Sequence, residues 1–402
     1  MRPWLLALLV LPLGTFHCEA QVGAFSAVLR EVDRTVTQAL SEQRTNVQAK
    51  ASAVSAWPKN PATANIQADL QKTDSALQKA ELSASGVVPQ SRRDLIISVE
   101  TIRTKQRPVW ALCNSDTWLS KPDLRWASYF ESVKEPLVSA ASSVGMFVLY
   151  TAAGQWIQNG ATGFVVSDRL LVTNRHVLSL YATKDGAGSW RLNAGRRLTV
   201  QFPFEYEKCN QRRQIRELKV VDIVEVGTTE VDDFAILAFE SDGQGGPAIV
   251  GLAPSFRLAG GARVAAIGYP GRPVSCGDDE PTPDSPCTFL TETQIDTLFK
   301  TPDEAIPFPA ERISPGVVLV NPALPQGVFS YDSSTWGGSS GSPVVSLVDG
   351  KVIGIQSQGA SANEEGVSYN NGVAIDRILP ALTRAKEKLA RGKTAETLTA
   401  RD

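Results

Sequence analysis

The chain has 402 residues, with 40 basic and 42 acidic side chains, a net charge of −2 and 43% hydrophobic residues. Its length allows two or three domains of about 100–200 residues each. A balance this close to neutral gives no general electrostatic case for nucleic acid or an acidic membrane as a partner.

Taken from the start, Arg2 is followed by the apolar run Leu5 to Phe16 and then Cys18-Glu19-Ala20. This is the layout of an export signal over residues 1–20, cut after Ala20. The run is shorter than the roughly 20 residues a spanning helix takes, so no stable membrane span is expected after cleavage. Lipid attachment at Cys18 is disfavoured, because His17 stands where such signals carry a small residue. Residues 21–106 carry helical periodicity. Phe25, Val28, Val32 and Val36 share one face, Ile66, Leu70, Thr73, Leu77 and Ala80 a second, and Leu95, Ile96, Val99 and Ile102 a third. Trp57-Pro58 and Gly86 to Pro89 separate them, and the expectation is an antiparallel helical bundle. Oligomerisation or partner binding is a second reading of these faces.

Residues 107–136 hold Trp110, Trp118 and Trp126 and read as a packed connection with buried aromatic anchors. Residues 137–154 are uncharged, and Met146 to Tyr150 has strand length, so the first strand is placed there. Short β-rich runs follow at Gly163–Val166, Arg169–Thr173, Leu198–Phe202, Leu218–Val226, Phe234–Phe239, Arg263–Tyr269, Val317–Val320, Val344–Leu347, Val352–Gln356 and Val373–Ile375. Many short strands at this spacing predict a mainly β domain, a sandwich or barrels. The cluster Arg212, Arg213, Arg216 and Lys219 reads as a solvated hairpin face. From Asp376 the pattern is helical again, with Ile378, Leu379, Leu382 and Leu389 along one side.

Of five cysteines, Cys18 leaves with the leader. Cys113, Cys209, Cys276 and Cys287 remain, an even set that points to disulfides and an oxidising, periplasmic or secreted location. Cys276 and Cys287 bracket a polar loop and form the natural local pair, leaving Cys113 with Cys209. No Cys-x-x-Cys occurs and no second histidine survives cleavage, so no metal or other cofactor is expected.

The chemistry concentrates in Thr335-Trp336-Gly337-Gly338-Ser339-Ser340-Gly341-Ser342-Pro343. A serine hydroxyl needs a base beside it and amide donors facing the oxygen it charges, and flanking glycines let the backbone supply the donors. On its own the segment is equally a Gly/Ser turn between strands. The histidines decide between the two. There are two in the chain, His17 in the leader and His176 in Thr173-Asn174-Arg175-His176-Val177. Between His176 and Ser340 lies Asp232-Asp233-Phe234-Ala235-Ile236-Leu237, an acidic pair running into a buried-strand pattern. The order His, Asp, Ser is that of the chymotrypsin fold and not of subtilisin or the α/β-hydrolases.

Together these three segments resemble the signatures of the chymotrypsin-like (trypsin-like) serine peptidases, nearest the bacterial branch with the HtrA proteases and glutamyl endopeptidases. Ala265-Ala266-Ile267-Gly268-Tyr269-Pro270-Gly271 is similar to a strand end common in that branch. The resemblance implies two antiparallel β-barrels over residues 137–383, preceded by the helical domain and followed by a helix end and tail over 384–402. It implies His176 as base, Asp233 as its orienting acid, Ser340 as nucleophile, and the amides of Gly338 and Ser340 as oxyanion hole. Asp232 is the rival acid, but strand alternation sends it the other way. The substrate pocket would be formed by Ser334 and Thr335 on one side and Ser357, Gln358 and Gly359 on the other. Ser339 stands where trypsin has the aspartate that binds its new N-terminus, and Gln356 stands near where glutamyl endopeptidases carry a histidine. The implied activity is hydrolysis of a peptide or protein substrate. A catalytically silent member of the same fold, acting as a binding or scaffold module, is the alternative.

Overall fold

The computed structural model describes residues 44, 48, 109–113, 117–118, 124–202, 215–229, 231–240, 247–253, 259–275, 291–299, 309–319, 324–360 and 369–399. The chain divides into two compact units, Met1–Ser98 and Val99–Asp402. In the first, Arg44 and Gln48 are described, both helical. The leader and the three apolar faces expected over 21–106 otherwise lie outside the described residues.

The second unit opens with β1 (Trp110–Cys113) and β2 (Thr117–Trp118), then α1 (Leu124–Ser132) and α2 (Lys134–Ser142). The uncharged stretch from 137 is therefore helix before it is strand. Pro136 sits in the first turn of α2, where its missing N–H has no helical partner to lose. Leu137, Ala140 and Ala141 are buried, which is why no charge interrupts the stretch.

β3 (Val144–Thr151), β4 (Trp156–Ser167), β5 (Leu170–Thr173), a one-turn α3 (Arg175–Leu178), the small hairpin β6 (Ala182–Lys184) and β7 (Trp190–Leu192), β8 (Arg196–Phe202), β9 (Arg216–Val226) and β10 (Ala235–Phe239) follow. In space the order β10-β5-β4-β3-β8-β9 closes on itself as an antiparallel barrel. β3 is buried on both faces. Phe147 and Leu149 enter the cluster with Leu171, Val200 and Leu237 inside this barrel, while Met146 and Val148 face a second cluster shared with the rest of the unit. Period-two alternation produces this division, so all four positions are apolar.

The remaining elements are β11 (Arg263–Gly268), α4 (Glu292–Phe299), β12 (Arg312–Leu319), β13 (Val328–Tyr331), β14 (Pro343–Ser346), β15 (Val352–Ala360), β16 (Tyr369–Ala374) and α5 (Ile375–Thr399). Their strands run β11-β14-β15-β16-β13-β12 and close through β11–β12, a second antiparallel barrel. The fold is mainly β, two barrels, as expected. β1 adds to this second barrel through Trp110↔Ile313 and Ala111↔Arg312. Trp110 packs edge-on against Phe130 at 5.3 Å, and both join the shared core with Trp126, Ile267, Ile355 and the α5 residues Ile378 and Leu382. The Trp-rich stretch is thus a structural layer of the barrel unit.

Among the described residues no helix is long and apolar enough to cross a membrane, and no cluster of His, Cys, Asp or Glu could hold a metal ion. No disulfide is present among them. Cys209, Cys276 and Cys287 lie outside them, and Cys113 is described only as backbone of β1.

Candidate active site

His176 rides on α3, the single turn that leaves β5. A turn this short needs external ties, and it receives them from the segment before β10. Asn174 Nδ2 donates to the Asp233 carbonyl at 2.8 Å, and the His176 amide donates to Asp233 Oδ1 at 3.0 Å. The ring Nδ1 lies 2.7 Å from Asp233 Oδ2, and the same oxygen accepts the Ser357 hydroxyl at 2.5 Å. Asp233 is buried, whereas the imidazole is about half exposed, at 45%. Burial would raise the Asp233 carboxyl. The hydrogen bonds from the His176 ring, Ser357 and the His176 amide outweigh it and hold the carboxyl below its ordinary range.

Asp232 turns away. Its Oδ1 takes Arg377 Nε from α5 at 2.6 Å, and its Oδ2 takes the Thr229 hydroxyl at 2.6 Å. Partial burial is again outweighed, here by Thr229 and Arg377, and this carboxyl is also lowered. Of the two aspartates, the one next to the imidazole is Asp233.

Ser340 lies in the turn that enters β14. Two glycines in that turn have left-handed backbone, Gly338 at φ 92° and Gly341 at φ 86°. Neither tolerates a side chain. A Cβ on Gly338 would stand 2.4 Å from the Tyr269 carbonyl, and one on Gly341 would stand 1.9 Å from the Thr162 carbonyl. Thr162 of β4 ties the turn to the first barrel. Its amide donates to the Ser340 carbonyl at 2.9 Å, and its hydroxyl donates to the Gly338 carbonyl at 2.8 Å. That hydroxyl also accepts the Tyr269 amide at 3.1 Å. Thr162 follows Ala161, the one non-glycine residue with positive φ (64°) among the described residues. Such strain is held only where neighbours over-determine it, and the bonds of Thr162 do so here. Sequence reasoning passed over Thr162; its signal was the Gly160-Ala161-Thr162-Gly163 break in a strand.

The amides of this turn separate into two sets. Ser339, Gly341 and Ser342 donate to Trp336 O, Gln356 O and Ser339 O at 2.9, 3.0 and 2.9 Å. Gly338 and Ser340 donate to no described group. The Gly337 carbonyl is drawn outward by the Gly271 amide at 2.6 Å, so the N–H on the opposite edge of that planar peptide, Gly338's, faces the other way. Two unengaged amides, those of Gly338 and Ser340, thus belong to the turn that carries Ser340. Ser339, buried, is bound within its own turn, its hydroxyl accepting the Trp336 amide at 3.4 Å.

The Ser340 hydroxyl meets the Ser357 carbonyl at 3.4 Å and makes no hydrogen bond to His176. Ser357 therefore touches both halves of the site, through its hydroxyl to Asp233 and its carbonyl to Ser340. It was expected as a pocket wall. The β15–β16 pairing slips between Gln356 and Gln358, which makes Ser357 a bulged residue and turns its side chain to Asp233. Of the other expected pocket residues, Ser334 is buried and Gln358 and Gly359 are exposed. The Thr335 hydroxyl donates to Asn370 Oδ1 at 2.6 Å. Asn370 of β16 is the neighbour that sequence reasoning missed, because the apolar pattern placed the start of that strand at Val373. Gln356 is buried and accepts the Tyr331 hydroxyl.

The family model of the trypsin-like peptidase domain matches residues 161–355, from the Ala161–Thr162 pair through most of the second barrel. The chain has a trypsin-like serine-peptidase fold. Two solved structures are similar to parts of this chain. Deg5 shares 17% identity over 64% of this chain and 91% of its own, with a TM-score of 0.39. Rv3671c from M. tuberculosis H37Rv, a serine-to-alanine mutant in its inactive form, shares 16% over 67% and 96%, with a TM-score of 0.36. Among curated proteins none matches.

Proposed function

We propose that the chain is an exported serine endopeptidase acting through His176, Asp233 and Ser340. The observation that carries this reading is a histidine held at its backbone amide and its ring Nδ1 by one buried carboxylate, with Ser357 bonded both to that carboxylate and to Ser340, whose turn leaves the Gly338 and Ser340 amides unengaged. Ser340 Oγ would attack the carbonyl carbon of the scissile bond while His176 Nε2 takes its proton, then returns it to the departing amine. Water would repeat the sequence on the acyl-enzyme. Asp233, accepting at Nδ1, would fix the tautomer that leaves Nε2 free to accept. The Gly338 and Ser340 amides would meet the oxyanion, a contact whose loss of one donor costs about 2.7–4 kcal/mol of barrier. The Ser340–His176 hydrogen bond would form as the hydroxyl leaves the Ser357 carbonyl, since such contacts tighten when substrate binds.

One observation favours the catalytically silent scaffold instead, namely that the Ser340 hydroxyl rests on Ser357 and not on His176. Labelling with a fluorophosphonate separates the two. The peptidase reading expects modification of Ser340 in the native protein and none in Ser340→Ala or His176→Ala. An unlabelled but folded native protein supports the scaffold.

Export, to the periplasm or outside the cell, rests on the leader over residues 1–20 and the even cysteine set. Non-reducing peptide mapping should find Cys276 joined to Cys287 and Cys113 to Cys209. Residues 21–106 would act on access, assembly or targeting, because their apolar faces carry no nucleophile or ligand cluster.

A further inference from the structure

The peptidase reading places the substrate side chain on the acyl side of the cut bond between β15 and the segment Ser333–Thr335. Asn370 stands across that space. It is almost fully buried, at 1% exposure. Its Oδ1 accepts the Thr335 hydroxyl and its Nδ2 donates to the Ser333 carbonyl, both at 2.6 Å. On the other side its pairing partner in β15 is Gly359, where a Cβ would lie 3.5 Å from Asn370 Oδ1, ordinary van der Waals contact. The amide therefore fills the width between the two walls and is pinned at both heteroatoms. The next residue, Asn371, points elsewhere and accepts the Ser330 hydroxyl at 2.8 Å, as strand alternation requires.

We infer that Asn370 and Thr335 form a fixed floor, so that the site accepts a small uncharged residue, of alanine to valine size, on the acyl side of the bond. This inference rests on the peptidase reading. An aromatic or long side chain would have to displace the Asn370 amide, leaving the carbonyl of buried Ser333 and the hydroxyl of half-buried Thr335 without those partners. A lysine, arginine, aspartate or glutamate side chain would lose water and meet no opposite charge among the described lining residues, because Thr335, Ser357, Gln358 and Asn370 are all neutral. Gly359, without a side chain, keeps the entrance open above the floor.

The test uses the full-length protein and peptides that differ only at this position. Alanine and valine peptides should exceed phenylalanine, arginine and glutamate peptides in kcat/KM by about 100-fold or more, since even one surplus methylene in a fitted pocket costs roughly 10–200-fold. Asn370→Gly should raise phenylalanine relative to alanine by about 10-fold or more by the same reasoning. Ser340 labelling by a small fluorophosphonate, measured alongside, shows that the site is intact in each variant. Should Asn370→Gly fail to fold, Thr335→Ala, which frees Asn370 Oδ1, should shift the profile in the same direction. A native preference for phenylalanine, arginine or glutamate overturns the inference alone. So does a labelled variant with an unchanged profile. Absence of both labelling and cleavage in the native protein overturns the peptidase reading, and this inference with it.

Discussion

Replacing Asp233 with asparagine keeps the shape of the side chain and changes only what its two outer atoms can accept. In the native protein Oδ1 takes the His176 amide at 3.0 Å, while Oδ2 takes the His176 ring at 2.7 Å and the Ser357 hydroxyl at 2.5 Å. An asparagine has one oxygen and one NH₂ to distribute. With the oxygen at the Oδ2 place, the NH₂ would confront the His176 amide, donor against donor. With the oxygen at the Oδ1 place, the amide keeps its acceptor, and the NH₂ donates to Ser357 and to the bare Nδ1 of the ring. The second arrangement keeps both the His176 amide and the ring partnered and asks only the Ser357 hydroxyl to turn from donor to acceptor, so it should prevail and the fold should survive. It also moves the ring proton to Nε2, the atom that in the proposed mechanism accepts from Ser340. The expected loss is about 10⁴-fold in kcat, the size of the same change in trypsin, or about 5.5 kcal/mol of barrier. Fluorophosphonate labelling rate and peptide turnover measure the loss, and thermal unfolding checks the fold. Asp232→Asn should lose less than about 10-fold, because its partners are Arg377 and Thr229 and not the ring. An Asp233→Asn protein that labels within 10-fold of native, or an Asp232→Asn protein that loses more, would refute the reasoning.

Three further outcomes are expected. The Asp232 and Asp233 carboxyls are both lowered in the folded state, so each adds stability above an unfolded value of about 3.9 and loses it as pH falls through its folded value. Urea titrations at stepped pH should show a flatter acid limb below about pH 4 in Asp232→Asn than in the native protein, and identical limbs would count against the Arg377 pair. Gly341→Ala, with its Cβ 1.9 Å from the Thr162 carbonyl and φ of 86°, should destabilise by about 2 kcal/mol or more and abolish labelling. Gly337→Ala, with nothing within 4 Å, should stay folded in the same melting assay. A chain starting at Val99 should fold and label, whereas one starting at Pro136 should not. The shorter chain lacks the buried Trp110, Leu112, Trp126 and Phe130, each worth about 1.5–3 kcal/mol of burial, and circular dichroism would expose a folded exception.

How much of this was legible in the sequence follows from what each feature depends on. The barrel strands were legible because short, unbroken apolar runs such as Phe234–Phe239 lie between turn residues, where local composition and tertiary role agree. His176, Asp233 and Ser340 were legible as candidates because the chemistry demands particular residue types and the chain has one histidine outside its leader. β1 was missed because Trp110–Cys113 becomes a strand only by pairing with Arg312 and Ile313, far along the chain. α2 was missed because its outward side over 137–142 carries Val138, Ser139 and Ser142 and no charge, so the polar stripe that betrays a helix is weak.

Ser357 and Asn370 mark the limit more sharply. Simple alternation along β15 puts Gln356 and Gln358 on one face and Ser357 on the other, and from that pattern Ser357 is one more wall residue. The one-residue slip against β16 breaks the alternation, burying Gln356 and Ser357 together and leaving Gln358 exposed. The same slip sets Asn370 opposite Gly359, where a side chain on Gly359 would have met the amide that reaches Ser333 and Thr335. Nothing in the composition of either strand encodes a bulge, since its position is fixed by the Gly341 amide bonding Gln356 O and the Gln356 amide bonding Ser342 O, at 3.0 and 2.8 Å. Those two bonds come from the turn that carries Ser340. The turn that presents Ser340 therefore also fixes where β15 departs from its pleat, which aims Ser357 at Asp233 and places the floor on which we propose specificity depends.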